Sequence, residues 1–445
     1  MNLKPGTLAV VACLTLVGAG GARAGGFDIF GHTPRDIAMG GAMTAAVLGY
    51  SALYYNPAAL TAERTHSLAG GLRLSVPVLE VERADPFATP ETVLPDVHAG
   101  LSIGWVKPFG GVFEDRVAVG LSVALPAQRL VRVQGLDPAA PQFHLYQNLQ
   151  DKLLIHLGVA GEPLEWLSIG VGAQILADLR GGVALDLDVL GGLFNSQRLD
   201  VTLAPTISPL VGVHVRPPLG PDGGQIKAGL TWRGENALRF DLPVRVTAGD
   251  ALALDIAVAQ TVLWTPHQFA LGVAWTLDDP ALTVALDLTL ALWSRAPDPS
   301  PRLSVDVGGS LLEAFGLESA LDLSTRSAPI RLGFSDTLTA RIGAEWHPLP
   351  WLTLRGGYFW RPTPAPAQTG ATAYLDNEAH VVSLGAGFSF DNPIQDRPAA
   401  VDIDIAVQTT FLPRRVALRP GGWPGGSIAH GGSFWHFSAA VVHRF

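Results

Sequence analysis

From His66 to Phe445 the chain is a succession of segments in which every second residue is apolar and its neighbours are small or polar. Leu282, Val284, Leu286, Leu288 and Leu290 fall on one face of such a segment, with Thr283, Asp287 and Thr289 on the other. Val97, Ala99, Leu101, Ile103 and Trp105 oppose His98, Gly100, Ser102 and Gly104; Val382, Leu384, Ala386, Phe388 and Phe390 oppose Ser383, Gly385, Gly387 and Ser389. Val401, Ile403, Ile405 and Val407 oppose Asp402, Asp404 and Gln408. A period of two belongs to a β-strand, whose side chains point alternately to its two faces. Carboxylates in mid-strand mean that the second face meets water or polar partners. About fourteen such strands are read, near 65–82, 96–106, 116–134, 143–160, 166–184, 198–216, 225–240, 252–275, 281–293, 331–346, 351–361, 379–390, 400–412 and 433–445.

Two architectures use many alternating strands: a soluble sandwich and a closed transmembrane barrel. Composition narrows the choice. Charged residues are 16% of the chain, against about a quarter in soluble domains, while hydrophobic residues reach 48%. No uncharged apolar run of about 18 residues follows the first 24, so a spanning helix is not expected. With 50 glycines and 34 prolines a helical protein is disfavoured.

The connections decide for the barrel. Lys107–Asp115, Gly161–Glu165, Pro217–Gly224, Asp278–Pro280, His347–Pro350 and Asp391–Pro398 are short and turn-like. Alternating with them are the longer Ala84–Pro95, Asp186–Gln197, Arg295–Ser327, Pro362–Asn377 and Pro413–Gly432. Short turns on one side and long loops on the other, with an even strand number, is the asymmetry of outer-membrane barrels. Trp105, Trp275 and Trp346 fall on the apolar face beside the short turns, and Trp232 and Trp360 toward the long loops, as in two interfacial belts. The last strand alternates through Trp435, Phe437, Ala439, Val441 and His443 to a terminal Phe445, a pattern that looks like the signal read by outer-membrane barrel assembly machinery.

The N-terminal part is different. Lys4, an apolar core from Leu8 to Val17, and Ala22-Arg23-Ala24 make residues 1–24 a secretory signal peptide. Cys13, the one cysteine, goes with it, so disulfides and thiolate chemistry are not expected. Residues 25–64 then lack strand alternation but are too apolar for a loose tail. Their glycines and alanines suit an irregular, compact chain, and the Asn56-Pro57 step favours a turn. We read this segment as a hatch, or plug, around which residues 65–445 build a transmembrane antiparallel all-β barrel.

Catalysis finds little footing. There is no Gly-x-Ser-x-Gly, no H-E-x-x-H and no P-loop, and no histidines fall at metal-ligand spacing, so the chain is read as a non-enzyme without cofactor or metal. The formal charge of −9, made more negative by loss of Lys4 and Arg23, argues against nucleic acid.

Three blocks together resemble the FadL/TodX family of outer-membrane long-chain fatty acid and hydrocarbon transporters. They are the Gly26-Phe27 start leading to Asn56-Pro57-Ala58; Asp115–Pro126, DRVAVGLSVALP; and Ala340–Phe390, with ARIGAEWHPLPWLTLRGGYFWRPTPAP and YLDNEAHVVSLGAGFSF. The resemblance implies a monomeric fourteen-stranded barrel in the outer membrane of a Gram-negative bacterium. It implies passive uptake of a hydrophobic small molecule, a long-chain fatty acid or hydrocarbon, released sideways among the outer-membrane lipids through a kink in the third strand. Pro126 lies in that strand here, and a proline cannot donate to a ladder. The residues singled out for ligand binding or gating are Phe27, Phe30, Asn56, Pro57, Ala58, Ala124, Pro126, Leu311, Phe315, Arg355 and Asp376. In the better-known members long helical loops follow the fifth and seventh strands. Here the longest follows the ninth, and Ser310–Phe315 reads as a capped amphipathic helix. By alternation Arg341, Arg355, Lys227 and Arg233 point inward, where neighbours such as Glu345, Asp402 and Asp404 would pair with them. A general diffusion porin is the runner-up, and an outer-membrane lipid hydrolase a more distant one.

Overall fold

In the computed structural model the described residues are 31–84, 92–127, 140–147, 153–188, 193–218, 224–248, 252–278, 280–298, 302–308, 310, 331–368, 372–391, 400–418 and 426–445. Leader residues 1–24, Phe27, Phe30, Leu311 and Phe315 lie outside them.

The wall begins with β1 (Ser67–Arg83), β2 (His98–Phe109), β3 (Val117–Pro126), β4 (Leu154–Leu164), β5 (Leu167–Asp188), β6 (Leu193–Val215) and β7 (Gln225–Arg233). Outside the ring, β8 (Asn236–Ala248) and β9 (Leu252–Thr265) form a hairpin, after which β10 (Gln268–Leu277) and β11 (Leu282–Ala291) return to it. β12 (Arg302–Gly308) joins the edge of β9. The ring is completed by β13 (Thr337–Leu349), β14 (Leu352–Arg361), β15 (Ala379–Asp391), β16 (Ala400–Ala417) and β17 (Ile428–Arg444). β7 pairs directly with β10, β11 with β13, and β1 with both β2 and β17. The result is a closed antiparallel barrel of 14 strands. Closure leaves the wall without an edge, which is what a sheet in lipid requires.

Burial is inverted relative to a water-soluble protein. On β15 and β16, Leu384 is 60% and Ile405 47% exposed, while Ser383 and Asp404 are 1% and 8% exposed. On β11, Leu286, Leu288 and Leu290 face out and Asp287 and Thr289 face in. The apolar face is the outer one, as a bilayer selects. Trp105, Trp275 and Trp346 stand on it toward the short turns, and Trp360 and Trp435 toward the long connections.

Four sequence expectations are corrected. Segment 225–240 is not one wall strand. It stops at Arg233, and Gly234, whose N–H donates to Pro209 O at 2.8 Å, turns the chain off the ring into β8. Segment 252–275 is likewise divided, at Pro266, into β9 and β10. A hairpin above the barrel has the same period as its wall, so alternation alone does not tell them apart. The third and fourth strands are shorter than expected, and His144–Gln147, set in a strand, is a helical turn because Phe143, Leu145 and Tyr146 all bury inward. Finally, Asp186–Gln197 is not a loop, since β5 and β6 continue upward as a tall hairpin. The longest excursion still follows the ninth wall strand, but a second follows the seventh.

Candidate functional site

The segment before β1 lies within the ring and fills its lower half, toward the short turns. Helix α1 (Pro34–Ala38) opens with a capping box: Asp36 N–H donates to Thr33 Oγ1 at 3.3 Å and Thr33 N–H to Asp36 Oδ2 at 3.0 Å. Burial pushes the Asp36 carboxyl up to about 6, against its hydrogen bonds from Thr33 and Ser51. Helix α2 (Ala52–Tyr55) leads to Asn56, which is fully buried. Asn56 Oδ1 accepts from Ala58 N–H at 3.2 Å, capping the turn Pro57–Thr61. Its Nδ2 donates to Thr44 O at 2.8 Å and to Val213 O of β6 at 3.1 Å. Proline at the next position is the helix-start residue that loses nothing by lacking an N–H. The Asn-Pro-Ala sequence is thus a latch that closes the plug on itself and ties it to the wall.

The wall is shaped for this contact. A Cβ at Gly104 would collide with the Tyr50 ring, at Gly170 with the Pro57–Ala58 backbone, and at Gly357 with Gly40. These inward glycines, read in the sequence only as the small face of each strand, are sockets for the plug. Polar contacts complete the seat: Thr44 N–H donates to Asp287 Oδ2 at 2.7 Å, Thr61 Oγ1 to Ser168 Oγ at 2.9 Å, and His32 bonds Ser122 Oγ at 2.8 Å.

Charge holds one side. Arg35 of α1 donates to both oxygens of Glu345 on β13, at 2.7 and 2.9 Å. Arg355 of β14 donates to the same carboxylate at 2.6 Å and also pairs with Asp404. Arg444 pairs with Asp402 and Glu63. These groups border a polar cavity of about 280 Å³ at the short-turn end. Arg355 is therefore committed to acids of the wall, and Arg216 and Arg444 are paired with acids in the same way. Arg233 donates to Tyr54 O and lies over the Tyr54 ring at 4.1 Å, and Arg341 lies over Phe359 at 5.0 Å.

Above the plug the lumen is aromatic. Tyr146 of α3 (His144–Gln147) stacks on Phe434 at 4.4 Å, Trp264 meets Trp293 edge-on at 5.6 Å, and Trp293 meets Phe334 at 6.1 Å. Asp376 belongs here. It pairs at 2.9 Å with Arg361, which also donates to Tyr146 Oη at 2.6 Å. The sequence reading picked Asp376 and missed Arg361 and Tyr146, the latter set on a strand.

Between the two layers, the inward row of β3 runs Ala118, Gly120, Ser122, Ala124, Pro126. Pairing with β2 continues to Pro126, opposite Gly100, with no break in register. Pairing with β4 ends at Ala124, opposite Leu154. Pro126 is thus the last residue of its strand, and among the described residues no pairing with β4 is seen beyond Ala124. Facing this row are His32 and Tyr50 of the plug, their rings 5.4 Å apart, and His156 of β4, 5.5 Å from His32. Arg73 of β1 lies across Gly100. Arg73 is not among the residues singled out from the sequence.

No protein-family model matches the chain. Alkane uptake protein A of Marinobacter nauticus is 23% identical over 379 residues, 81% of this chain and 78% of that protein. Among solved structures, a FadL homologue of Pseudomonas aeruginosa superposes with a TM-score of 0.61 at 15% identity, covering 96% of this chain and all of that one. The P. putida toluene transporter TodX superposes at 0.57 with 16% identity, covering 94% and 99%. The Ralstonia pickettii toluene transporter TbuX does so at 0.51 with 16% identity, covering 94% and 100%. The resemblance to the FadL/TodX family borne by the sequence blocks is found again in a sequence relative and in solved folds. These relatives are uptake proteins and channels, not enzymes.

Proposed function

We propose that this chain, which has the fold of the FadL/TodX channels, is a passive outer-membrane transporter for hydrophobic small molecules. In this reading residues 1–24 are a signal peptide, 25–64 the hatch and 65–445 the barrel, inserted by the barrel assembly machinery and working as a monomer. The observation that carries it is the vertical division of the lumen. A cluster of buried aromatic side chains lies toward the long connections, and a plug latched by hydrogen bonds and ion pairs closes the end at the short turns. An apolar molecule gains by entering the first, but each CH₂ exposed to water or polar groups below costs about 0.8 kcal/mol. Straight passage is unfavourable and release into the bilayer is favoured. The end of the β3–β4 ladder at Ala124 and Leu154, beside Pro126, is the place in the wall that we assign to that exit. A β-ladder that stops needs no bonds broken for a molecule to pass it.

A general porin is the competing class. The purified protein distinguishes them when reconstituted in vesicles and planar bilayers. We expect transfer of radiolabelled hexadecane well above that of empty vesicles, without steady ion conductance. Steady conductance with no gain in hexadecane transfer would establish the porin instead.

A further inference from the structure

Three of the long connections meet over the lumen through backbone bonds that belong to none of the wall's ladders. Val93, between β1 and β2, donates its N–H to Pro141 O at 2.9 Å. Gln142, between β3 and β4, donates to Ala373 O at 3.0 Å and accepts from Leu375 N–H at 2.7 Å, both between β14 and β15. The chain then runs into α3, where Phe143, Leu145 and Tyr146 bury themselves in the aromatic cluster. Tyr146 stacks on Phe434 of β17, which stands opposite Pro77 of β1, one inward row above the pair His436 and Ser75. The plug meets this part of the wall lower down, where Tyr50 fills the socket at Gly104, opposite Ala69 of β1. Ser75 therefore lies between the plug below and the knitted connections above.

One arginine fastens this layer to the wall. Arg361 of β14 is fully buried and donates to Asp376 Oδ1 at 2.9 Å, to Tyr146 Oη at 2.6 Å and to Asn377 O at 3.2 Å. A single guanidinium fork thus holds α3 and the β14–β15 connection at once. The rest of the fastening is apolar packing, and packing of that kind can be exchanged for contact with another apolar body. Water offers no such exchange. Lifting α3 into water would expose Phe143 and Tyr146 and take an acceptor from a buried cation. We propose that residues 140–147 and 372–377 form a lid over the lumen, fastened by Arg361, and that this lid selects apolar molecules at the outer entrance. It parts for a molecule that takes the place of its aromatic contacts and stays shut to water and ions. The lid itself stands on the geometry; what passes beneath it rests on the transporter reading above.

The test has two arms. Cys13, the one native cysteine, lies in the stretch read as the leader, so engineered cysteines supply the thiols measured. In the first arm Ser75→Cys is introduced into the full chain in lipid nanodiscs, and its rate of alkylation by N-ethylmaleimide is followed. Charged hydrogen bonds are worth roughly tenfold or more, so adding Arg361→Gln should raise that rate by about tenfold, with heat-modifiable gel migration reporting a folded barrel. Should that variant not fold, Tyr146→Phe is read instead, which keeps the ring and loses the Oη acceptor, and the rate should rise several-fold. A rate unmoved by the folded variant overturns the proposal. In the second arm Gln142→Cys is combined with Tyr374→Cys. These residues are partners in a parallel bridge, a spacing of about 5 Å that a disulfide can span. Oxidation should bring transfer of radiolabelled hexadecane in reconstituted vesicles down to the level of empty vesicles, and reduction should restore it. Transfer by the oxidised form at the reduced form's rate overturns the lid. Absence of transfer in the wild type would count against the transporter reading alone, and the alkylation rates would then decide the lid by themselves.

Discussion

Arg35 and Glu345 are 310 residues apart and joined by two hydrogen bonds, of 2.7 and 2.9 Å, between the plug's first helix and the barrel wall. Both side chains are largely shielded from solvent. Glu345 also accepts from Arg355, so one carboxylate neutralises two guanidiniums. Removing it leaves both cations facing each other, and breaking a buried pair this way costs about 3–5 kcal/mol. We expect Glu345→Gln to lower the folded barrel's resistance to urea by an amount in that range, read by heat-modifiable gel migration. An effect under about 1 kcal/mol would mean that the pair is not a structural tie.

The Asn56 latch supplies a second prediction. Asn56→Ala removes the cap on Ala58 and leaves the Thr44 and Val213 carbonyls with one donor fewer. Buried polar groups left so cost about 1–3 kcal/mol each. The plug should become cleavable by added protease before Leu60 while the wall stays intact. Wild type should resist the same treatment, and trimming of the wild type would remove the plug from this account.

The glycine sockets allow a paired comparison. Gly357→Ala puts a methyl group into the plug backbone at Gly40, whereas Gly70→Ala meets nothing within 4 Å. The first should loosen the plug in the protease assay and the second should not. Equal behaviour would mean that the plug does not rest on these positions.

The two faces of the wall are tested at neighbouring residues. Ile403 points outward from the barrel and Asp402 inward toward Arg444. An arginine on the lipid face near the midplane costs about 2–4 kcal/mol. Ile403→Arg should therefore impair assembly far more than Asp402→Ala, which leaves Arg444 with Glu63. Equal yields of assembled barrel would show the faces or the register to be wrong.

Much of this was legible in the chain itself, because a barrel wall repeats one local rule. Leu286 out and Asp287 in, or Leu384 out and Ser383 in, follow from period two alone. The sorting of turns such as His347–Pro350 from longer connections gave the barrel's orientation. What stayed hidden depends on the third dimension. β8 and β9 obey the same alternation as their neighbours yet leave the ring at Gly234. Glu345 and Arg35, or Arg361 and Asp376 with Tyr146, meet only when the ring closes around the plug.

The central claim is that an apolar molecule enters the lumen and leaves through the wall beside β3. Ala124 faces inward at the last rung of the β3–β4 ladder, and it is buried. The measurement is uptake of radiolabelled hexadecane by reconstituted vesicles carrying Ala124→Trp, with heat-modifiable migration showing an assembled barrel. Filling this position should reduce uptake to the level of empty vesicles. Uptake at the wild-type rate by the assembled variant would contradict the route.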